Sequence, residues 1–145
     1  MHVFTNLTFD GDCEAAFAVY ARVLGATLTF SLRYGDSPMA AQVPDTWHDK
    51  IAHCTLTLSD GDRLHGSDSA PGTYQPSHGF SLTTQPADAA EARAVFDALA
   101  AGGQVTMPLQ ATFWAGAFGT LVDRFGIPWA INCGEGDAVS GSASG

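Results

Sequence analysis

The sequence contains an internal repeat, and this repeat constrains the fold more than any other feature. Residues 12–30 read DCEAAFAVYARVLGATLTF, and residues 88–107 read DAAEARAVFDALAAGGQVTM. With one extra residue in the second copy, both copies begin with Asp, and Gly25 aligns with Gly102. Self-similarity between distant parts of a chain indicates two copies of one supersecondary unit. The chain is therefore expected to fold as two modules of the same kind.

Each copy carries the signals of an amphipathic helix. Asp12 and Asp88 stand where a carboxylate can accept the free N–H groups of a first turn. Gly25 and Gly102 stand where a helix ends in left-handed geometry. Apolar residues recur at helical spacing, as Phe17, Tyr20, Val23 and Leu24 in one copy and Val95, Phe96 and Leu99 in the other.

Strand-like segments flank both helices. HVFTNLTF precedes the first helix, and TLTFSLRYG, IAHCTLTLSDG and RLHGSDS follow it. GFSLTT precedes the second helix, and QVTMPLQ, WAGAFGTLVD and PWAINC follow it. Each half therefore reads strand–helix–strand–strand–strand. We predict an α+β fold of tandem βαβββ modules, in which mixed β-sheets form a curved cleft and the helices lie outside.

The composition of the segments between these elements sets the expected boundaries. Residues 1–68 form the first module, and residues 79–133 form the second. Residues 69–78 are expected to be a linker, because SAPGTYQPSHG contains two Pro and two Gly. Residues 134–145 are rich in Gly, Ser and Ala and are expected to be a disordered tail.

Charge and cysteine usage narrow the function classes. The net charge is −9 with only six Lys and Arg, so the surface should repel nucleic acid and anionic membranes. No apolar run is long enough to span a membrane, and no signal peptide is evident, which together predict a cytoplasmic protein. Cys13, Cys54 and Cys133 form no zinc-ligand pattern and are expected to be buried free thiols.

Six segments carry a resemblance to a known family: NLTFDGDCEAAFAVYARVLG, RYGDSPM, DKIAHCTLTL, GSDSAPGTYQP, FSLTT and VTMPLQATFWAGAFGTLVDRFGIPWAINC. Together they resemble the PhnB-like branch of the glyoxalase/bleomycin-resistance/dioxygenase (vicinal oxygen chelate) superfamily. The resemblance implies the tandem fold, a small-molecule ligand and a homodimer. Members of this branch often carry a demethylubiquinone methyltransferase label, but the sequence lacks a Gly-rich strand-to-helix loop for a methyl donor.

The resemblance also locates the usual metal ligands of the superfamily. By approximate alignment these positions fall at Thr5, at Thr55, at Phe80 or Ser81, and at Ala130. None of these residues is a His or a carboxylate, the groups that hold a catalytic divalent metal. We therefore assign no metal ligand and no cofactor, and a divalent metal stays an alternative. Thr5 and Thr55 are retained as candidate ligand-binding residues.

His53 is the candidate catalytic residue. It lies two residues before Thr55, so both side chains should point to the same face of a strand, where His53 would act as an acid, a base or a ligand. The alternative is a histidine whose ring nitrogens are satisfied by neighbouring strands or a turn. The other histidines lie in polar or terminal stretches and are expected to be solvated loop or strand-end residues: His2, His48, His65 and His78.

Further candidates for ligand binding come from charge and aromaticity. Arg33 could clamp an anionic group through its guanidinium, although a surface pair with Asp36 is the simpler interpretation. The long connection around Trp47 is expected to be a lid or a contact surface. In a strand predicted from Phe113 to Asp123, Trp114 and Phe118 would share the cleft face. Asp123 is expected to brace a hairpin turn that ends at Gly126.

Two function classes follow. The first is a binder that holds a small molecule in an aromatic cleft without catalysis, as bleomycin-resistance proteins do. The alternative is a metal-dependent lyase, transferase or dioxygenase that acts on a substrate with adjacent oxygens. The missing metal ligands favour the binder, and whether the protein is an enzyme is left open. Metal content of the purified protein distinguishes the two classes.

Overall fold

Both copies of the repeat are present in the computed structural model, which describes residues 1–113 and 115–134. The chain divides into two compact units, Met1–Gln75 and Pro76–Gly145. The division falls inside the segment expected to be a linker. Most of the segment expected to be a disordered tail lies outside the described residues.

The first unit has the predicted strand–helix–strand–strand–strand order. Its elements are β1 (Thr5–Phe9), α1 (Cys13–Leu24), β2 (Thr27–Arg33), β3 (Ile51–Thr57) and β4 (Arg63–Asp68). The four strands form one sheet in the order β1-β4-β3-β2. β1 is parallel to β4, and the other two pairs are antiparallel, so the sheet is mixed. This order makes β4 and β3 the two central strands.

Helix α1 packs closely on one face of this sheet. A Cβ atom added at Gly66 of β4 would lie 2.6 Å from the ring of Phe17, so only glycine permits this approach. The apolar side of α1 and the facing side of the sheet form a core whose burial stabilises the unit. The core includes Leu7, Phe9, Cys13, Phe17, Tyr20 and Leu56.

The start of α1 is stabilised differently from the prediction. Asp12 makes no side-chain capping bond. The carboxylate of Asp68, which is 1% exposed, takes its place. Oδ1 of Asp68 accepts the N–H groups of Gly11 and Cys13 at 2.9 and 3.0 Å, and Oδ2 accepts the N–H of Ile51 at 2.8 Å. Because Asp68 already satisfies the first N–H of the helix, the prediction of an Asp12 cap was wrong.

The connection between β2 and β3 is folded against the first unit. It contains three short 3-10 turns, Tyr34–Asp36, Ala40–Gln42 and Asp45–Trp47. The indole N–H of Trp47 donates to the backbone carbonyl of Ser69 at 3.1 Å, and its side chain is half-buried. Trp47 therefore packs within the unit instead of standing exposed for a ligand or partner.

The second unit repeats the same order of elements. These are β5 (Leu82–Thr84), α2 (Ala89–Ala100), β6 (Gln104–Gln110), β7 (Ala117–Val122) and β8 (Pro128–Cys133). The strands form a second four-stranded sheet in the order β5-β8-β7-β6. β5 is parallel to β8, and the other pairs are antiparallel. Each unit is therefore a βαβββ module.

Two local predictions for the second unit are confirmed, and one is wrong. Asp88 caps α2, because its Oδ1 accepts the N–H of Glu91 at 2.8 Å. Asp123 braces its turn, because its Oδ1 accepts the N–H of Phe125 at 2.9 Å. The strand predicted from Phe113 begins only at Ala117. Before it, the N–H of Thr112 donates to the carbonyl of Ala115, and the N–H of Ala115 donates to the Thr112 Oγ1.

The predicted α+β fold of tandem βαβββ modules is confirmed by these two mixed sheets and two helices. A cleft shared by the two sheets stays a prediction. Neither of the helices in the described part of the chain has the length and apolar character that crossing a membrane requires.

Candidate functional site

Alternation along β3 divides its side chains between the two faces of the first sheet. The Sγ atom of Cys54 lies 3.6 Å from the Sγ atom of Cys13, so Cys54 faces α1. His53 and Thr55 flank Cys54 and therefore project from the face away from α1. The two residues share a face, as their spacing predicts.

His65 on β4 joins these two residues. It pairs with Thr55 in the sheet, and its Nδ1 lies 3.3 Å from the Thr55 Oγ1 and 3.2 Å from the His53 Nε2. The expectation of a solvated His65 was wrong, because its side chain is 8% exposed. The polar sequence around it resembles a strand end, but β4 lies between β1 and β3.

Two phenyl rings flank the imidazoles. The ring of Phe4 stacks on His65 with a centroid distance of 4.0 Å and an interplanar angle of 26°. The ring of Phe30 lies 5.8 Å from that of His53. Phe4 and Phe30 are 58% and 49% exposed, so both offer apolar surface to solvent. We call Phe4, Phe30, His53, Thr55 and His65 the histidine cluster.

One buried nitrogen of this cluster has no hydrogen bond within the described part of the chain. The Nε2 of His65 is buried and has no partner within residues 1–113 and 115–134. In a neutral imidazole one nitrogen donates and the other accepts, so the role of Nδ1 toward His53 and Thr55 fixes the role of Nε2. A buried polar atom without a partner costs about 1–3 kcal/mol, which an incoming polar group would recover.

His65 is held in its neutral form. Burial lowers the pKa of His65 from its usual value, and the nearby His53 and Arg63 lower it further. Near neutral pH these surroundings favour the uncharged form of the ring. It can donate or accept one hydrogen bond at Nε2, but it does not attract an anion as a cation would.

Thr5 does not belong to the histidine cluster. It pairs with Leu64, whereas the neighbouring Asn6 pairs with His65, so Asn6 shares the cluster face. Thr5 and Thr55 therefore lie on opposite faces of the sheet, since successive strand residues alternate between faces, and ligand binding by Thr5 stays a prediction. Thr5 instead lines an open groove of about 680 Å³ at the end of the sheet, and the groove reaches Phe4.

Arg33 is occupied by contacts within the first unit. Its Nη2 lies 2.5 Å from the Glu14 Oε2 on α1, and its Nη1 donates to the backbone carbonyl of Asp49. The predicted pair with Asp36 was wrong, because the guanidinium reaches helix α1 instead. These contacts do not support Arg33 as a clamp for an anionic ligand.

The aromatic residues predicted to line a cleft fall in the second unit. A Cβ atom at Gly119 would lie 2.7 Å from the Phe96 ring of α2, so the adjacent Phe118 projects from the opposite face. Trp114 lies outside the described residues. That Trp114 and Phe118 share one face and bind a ligand stays a prediction.

The repeat shows which site residue the sequence reasoning missed. The pair next to the turn is Thr57 and Arg63 in the first sheet and Val122 and Pro128 in the second. Two residues before it, Thr55 pairs with His65 and Thr120 pairs with Ala130, so Thr120 corresponds to Thr55. Phe118 then stands at the position of His53. His65 is therefore the counterpart of Ala130, a residue already singled out as a superfamily ligand position. This internal alignment was the signal that could have identified His65.

The described residues do not fit the metal centre usual in the superfamily. The cluster supplies two imidazole nitrogens and a hydroxyl. Within the described part of the chain, no three side chains of His, Cys, Asp or Glu lie close enough together to hold one metal ion. A catalytic zinc usually has three protein ligands. The cluster alone therefore does not supply the ligands of such a zinc site.

A family model and two known proteins match most of this chain. A family model described as 3-demethylubiquinone-9 3-methyltransferase matches residues 1–132. Protein YjdN of Escherichia coli (strain K12) is 37% identical over 137 residues, which cover 87% of this chain and 90% of that protein. The crystal structure of protein PA1353 from Pseudomonas aeruginosa is 41% identical, covers 92% of this chain and 98% of its own, and has a TM-score of 0.83.

A structure of much lower sequence identity has the same fold. A glyoxylase/bleomycin resistance protein/dioxygenase domain from Frankia sp. EAN1pec has a TM-score of 0.64 at 15% identity. The match covers 93% of this chain and 98% of that one, and at this identity it shows the fold alone.

The methyltransferase description of the family model has no counterpart in the geometry. A methyl donor is usually held by a Gly-rich loop between a parallel strand and a helix. The strand-to-helix junctions are Asp10–Gly11–Asp12 in the first unit and residues 85–88 in the second. The first holds a single glycine whose N–H is bound by Asp68, and the second holds none.

Proposed function

The chain belongs to the PhnB-like family of the glyoxalase/bleomycin-resistance superfamily, and from this premise we propose that it binds a small molecule at the histidine cluster. One observation carries the proposal. The buried Nε2 of His65 lacks a hydrogen-bond partner among the described residues, and it lies within a group of aromatic rings. Sites for small molecules combine apolar surface with a few placed polar atoms in this way.

The chemistry of the cluster favours an uncharged, planar ligand. Phe4 and Phe30 present ring surface for stacking, and the neutral His65 offers a single hydrogen bond. The net charge of −9 disfavours anions, and the guanidinium of Arg33 is already bound to Glu14. A hydroxyl or carbonyl group on an aromatic ring matches these features. The open groove at the end of the sheet shares Phe4 with this cluster.

Titration with 2-naphthol, a neutral planar phenol, tests the proposal. His65→Phe keeps a stacking ring and removes the nitrogen, so we expect the affinity to fall about fivefold to tenfold, as the loss of one hydrogen bond of about 1 kcal/mol implies. His78→Phe is the matched control, because His78 is exposed in the second unit. Nuclear magnetic resonance of the imidazole nitrogens reports binding at His65. Equal affinity of the two variants would contradict the proposal.

The alternative function is that of a metal-dependent lyase, transferase or dioxygenase. The observation in its favour is the 3.2 Å approach of the His53 and His65 nitrogens, a separation at which two imidazoles can share one cation. Addition of Zn²⁺ or Ni²⁺ separates the alternatives. Stoichiometric uptake that is lost in both His53→Phe and His65→Phe, followed by turnover of a substrate with adjacent oxygens, would favour the enzyme.

We further propose that the protein is a cytoplasmic homodimer. The family resemblance supports a dimer, and the outer strand β6 carries exposed apolar side chains that would gain from burial. These side chains are Val105 and Met107. Light scattering should give a mass near twice 15.1 kDa. A single species at the mass of one chain would contradict the dimer.

A further inference from the structure

Two buried thiols meet on the side of β3 opposite the histidine cluster. Cys13 begins α1 and Cys54 lies in β3, and their Sγ atoms are 3.6 Å apart. The two residues are 0% and 2% exposed. Gly66 leaves room for the pair, because a Cβ atom there would lie 3.1 Å from the Cys13 Sγ. The proposed ligand site uses neither thiol.

We propose that Cys13 and Cys54 are a dithiol site that a small hydroperoxide oxidises to an intramolecular disulfide. The sulfurs need to approach from 3.6 Å to about 2.05 Å, the length of a disulfide bond. Rotation of the two side chains toward each other, with adjustment of the first turn of α1, supplies this approach. The reaction would join α1 to the strand that carries His53 and Thr55.

A cavity gives a small oxidant access to this pair. It has a volume of about 130 Å³ and lies between α1 and strands β2 and β3, with Cys54 in its wall. Glu14 and Leu28 also line it, and their exposure of 64% and 47% shows that the cavity borders solvent. A water molecule occupies about 30 Å³ in the liquid, so the cavity admits hydrogen peroxide and is too small for a peptide disulfide such as oxidised glutathione.

The position of the cavity assigns the order of the two chemical steps. Cys54 lines the cavity and Cys13 does not, so the peroxide meets Cys54 first. The Cys54 thiolate attacks one peroxide oxygen, so an S–O bond forms and the O–O bond breaks. The departing oxygen takes up the proton that the Cys54 thiol had released, and it leaves as water or an alcohol. The Cys13 sulfur then attacks the Cys54 sulfur. The S–S bond forms, the S–O bond breaks, and the departing hydroxide takes the Cys13 proton to become water. Two thiols thus lose two electrons to one peroxide.

The surroundings of Cys13 determine how the rate depends on pH. The hydrogen bond to Cys54, burial and the charge of Asp68 raise the pKa of the Cys13 thiol. Near neutral pH the Cys13 thiol is therefore protonated, which makes its attack on the Cys54 sulfur slow. Since thiolates are the reactive species, the overall oxidation should be slow near neutral pH and become faster as the pH rises.

Exposure of the folded, full-length protein to hydrogen peroxide tests the proposal. After catalase treatment, unfolding in guanidinium chloride and alkylation, we expect an intact mass that has lost two hydrogen atoms and carries one alkyl group, on Cys133; unfolding is required because all three thiols are buried. Peptide mapping without reduction should find Cys13 linked to Cys54. Cys133→Ser should behave in the same way, and Cys13→Ser should leave a sulfenic acid on Cys54 that dimedone traps. Three alkylated thiols, a sulfinic acid on Cys54 in the wild-type chain, or a disulfide that includes Cys133 would overturn the proposal.

The route of entry is tested with a pair of helix variants. Ala18 lines the cavity, whereas Ala15 is exposed on the same helix outside it. Ala18→Leu fills the cavity and should slow disulfide formation tenfold or more, whereas Ala15→Leu should keep the wild-type rate. Equal rates in the two variants would overturn the assignment of the cavity as the entry route. Both readouts are independent of any ligand at the histidine cluster.

Discussion

At the scale of single residues, His65 links the proposed site to stability. Its pKa is lowered in the folded protein, first by burial and then by His53 and Arg63. The unfolded chain, with a histidine pKa of about 6.5, therefore binds more protons than the folded protein as the pH falls below that value. The contribution of His65 to the free energy of unfolding is therefore complete above this pH and is lost as the pH falls below it.

This linkage gives a prediction for His65→Phe. Between about pH 7.5 and pH 5.5, a range that brackets the unfolded histidine pKa, the wild-type free energy of unfolding should fall more than that of the variant. Urea unfolding at the two pH values measures both changes. His78→Phe is the control, since His78 is exposed and should leave the wild-type dependence intact. Identical pH dependence in wild type and His65→Phe would contradict a depressed pKa.

Features that depend on one strand are predictable from the sequence, and features that depend on distant strands are not. The spacing of His53 and Thr55 along one strand predicted their common face, because alternation is a property of a single strand. The burial of His65 and the orientation of Thr5 depend on how β1 and β3 pair with β4. Register between distant strands is set by the whole sheet, so local polarity gave the wrong environment for His65.

At the scale of elements, the two helices provide a matched pair of capping residues. Asp88 accepts the N–H of Glu91 at 2.8 Å, whereas Asp12 makes no side-chain capping bond. We therefore expect Asp88→Ala to lower the free energy of unfolding by about 1 kcal/mol, the usual contribution of an N-cap. Asp12→Ala should lower it by much less, because Asp68 holds the first turn of α1.

Chemical denaturation of the two alanine variants measures this difference. A loss for Asp12→Ala as large as that for Asp88→Ala would show that the two helices begin in the same way. The sequence could not distinguish the two aspartates, because each stands one residue before a helix. The distinction arises from Asp68, which lies far away along the chain and reaches the first turn only in the folded unit.

Element order was predictable because periodicity and helix-end signals are local. The strand before Asp123 was placed too early, at Phe113, because the apolar run begins several residues before the strand, where Thr112 and Ala115 bond to each other. The connection around Trp47 was expected to be a lid because of its length. Its 3-10 turns and the Trp47 bond to Ser69 show that a long connection can pack on its own unit.

At the scale of the whole molecule, the two units keep one architecture and differ in the chemistry of their sheets. The positions of His53, Thr55 and His65 in the first sheet correspond to Phe118, Thr120 and Ala130 in the second, as the strand registers indicate. Only the hydroxyl-bearing position is chemically preserved between the two units. A repeated fold therefore presents one pair of imidazoles per chain at these positions, and the second unit offers an aromatic ring and a methyl group in their place.

This asymmetry predicts the binding stoichiometry. If the imidazole nitrogen of His65 anchors the ligand, isothermal titration calorimetry should find one 2-naphthol molecule per chain in the wild-type protein. Ala130→His places a single imidazole at the corresponding position of the second sheet, beside Phe118 instead of a second histidine. We expect this variant to keep a stoichiometry of one, because the added ring lacks the partner that fixes the His65 imidazole. Two molecules per wild-type chain would show that aromatic surface alone suffices, and the imidazole pair would then not define the site.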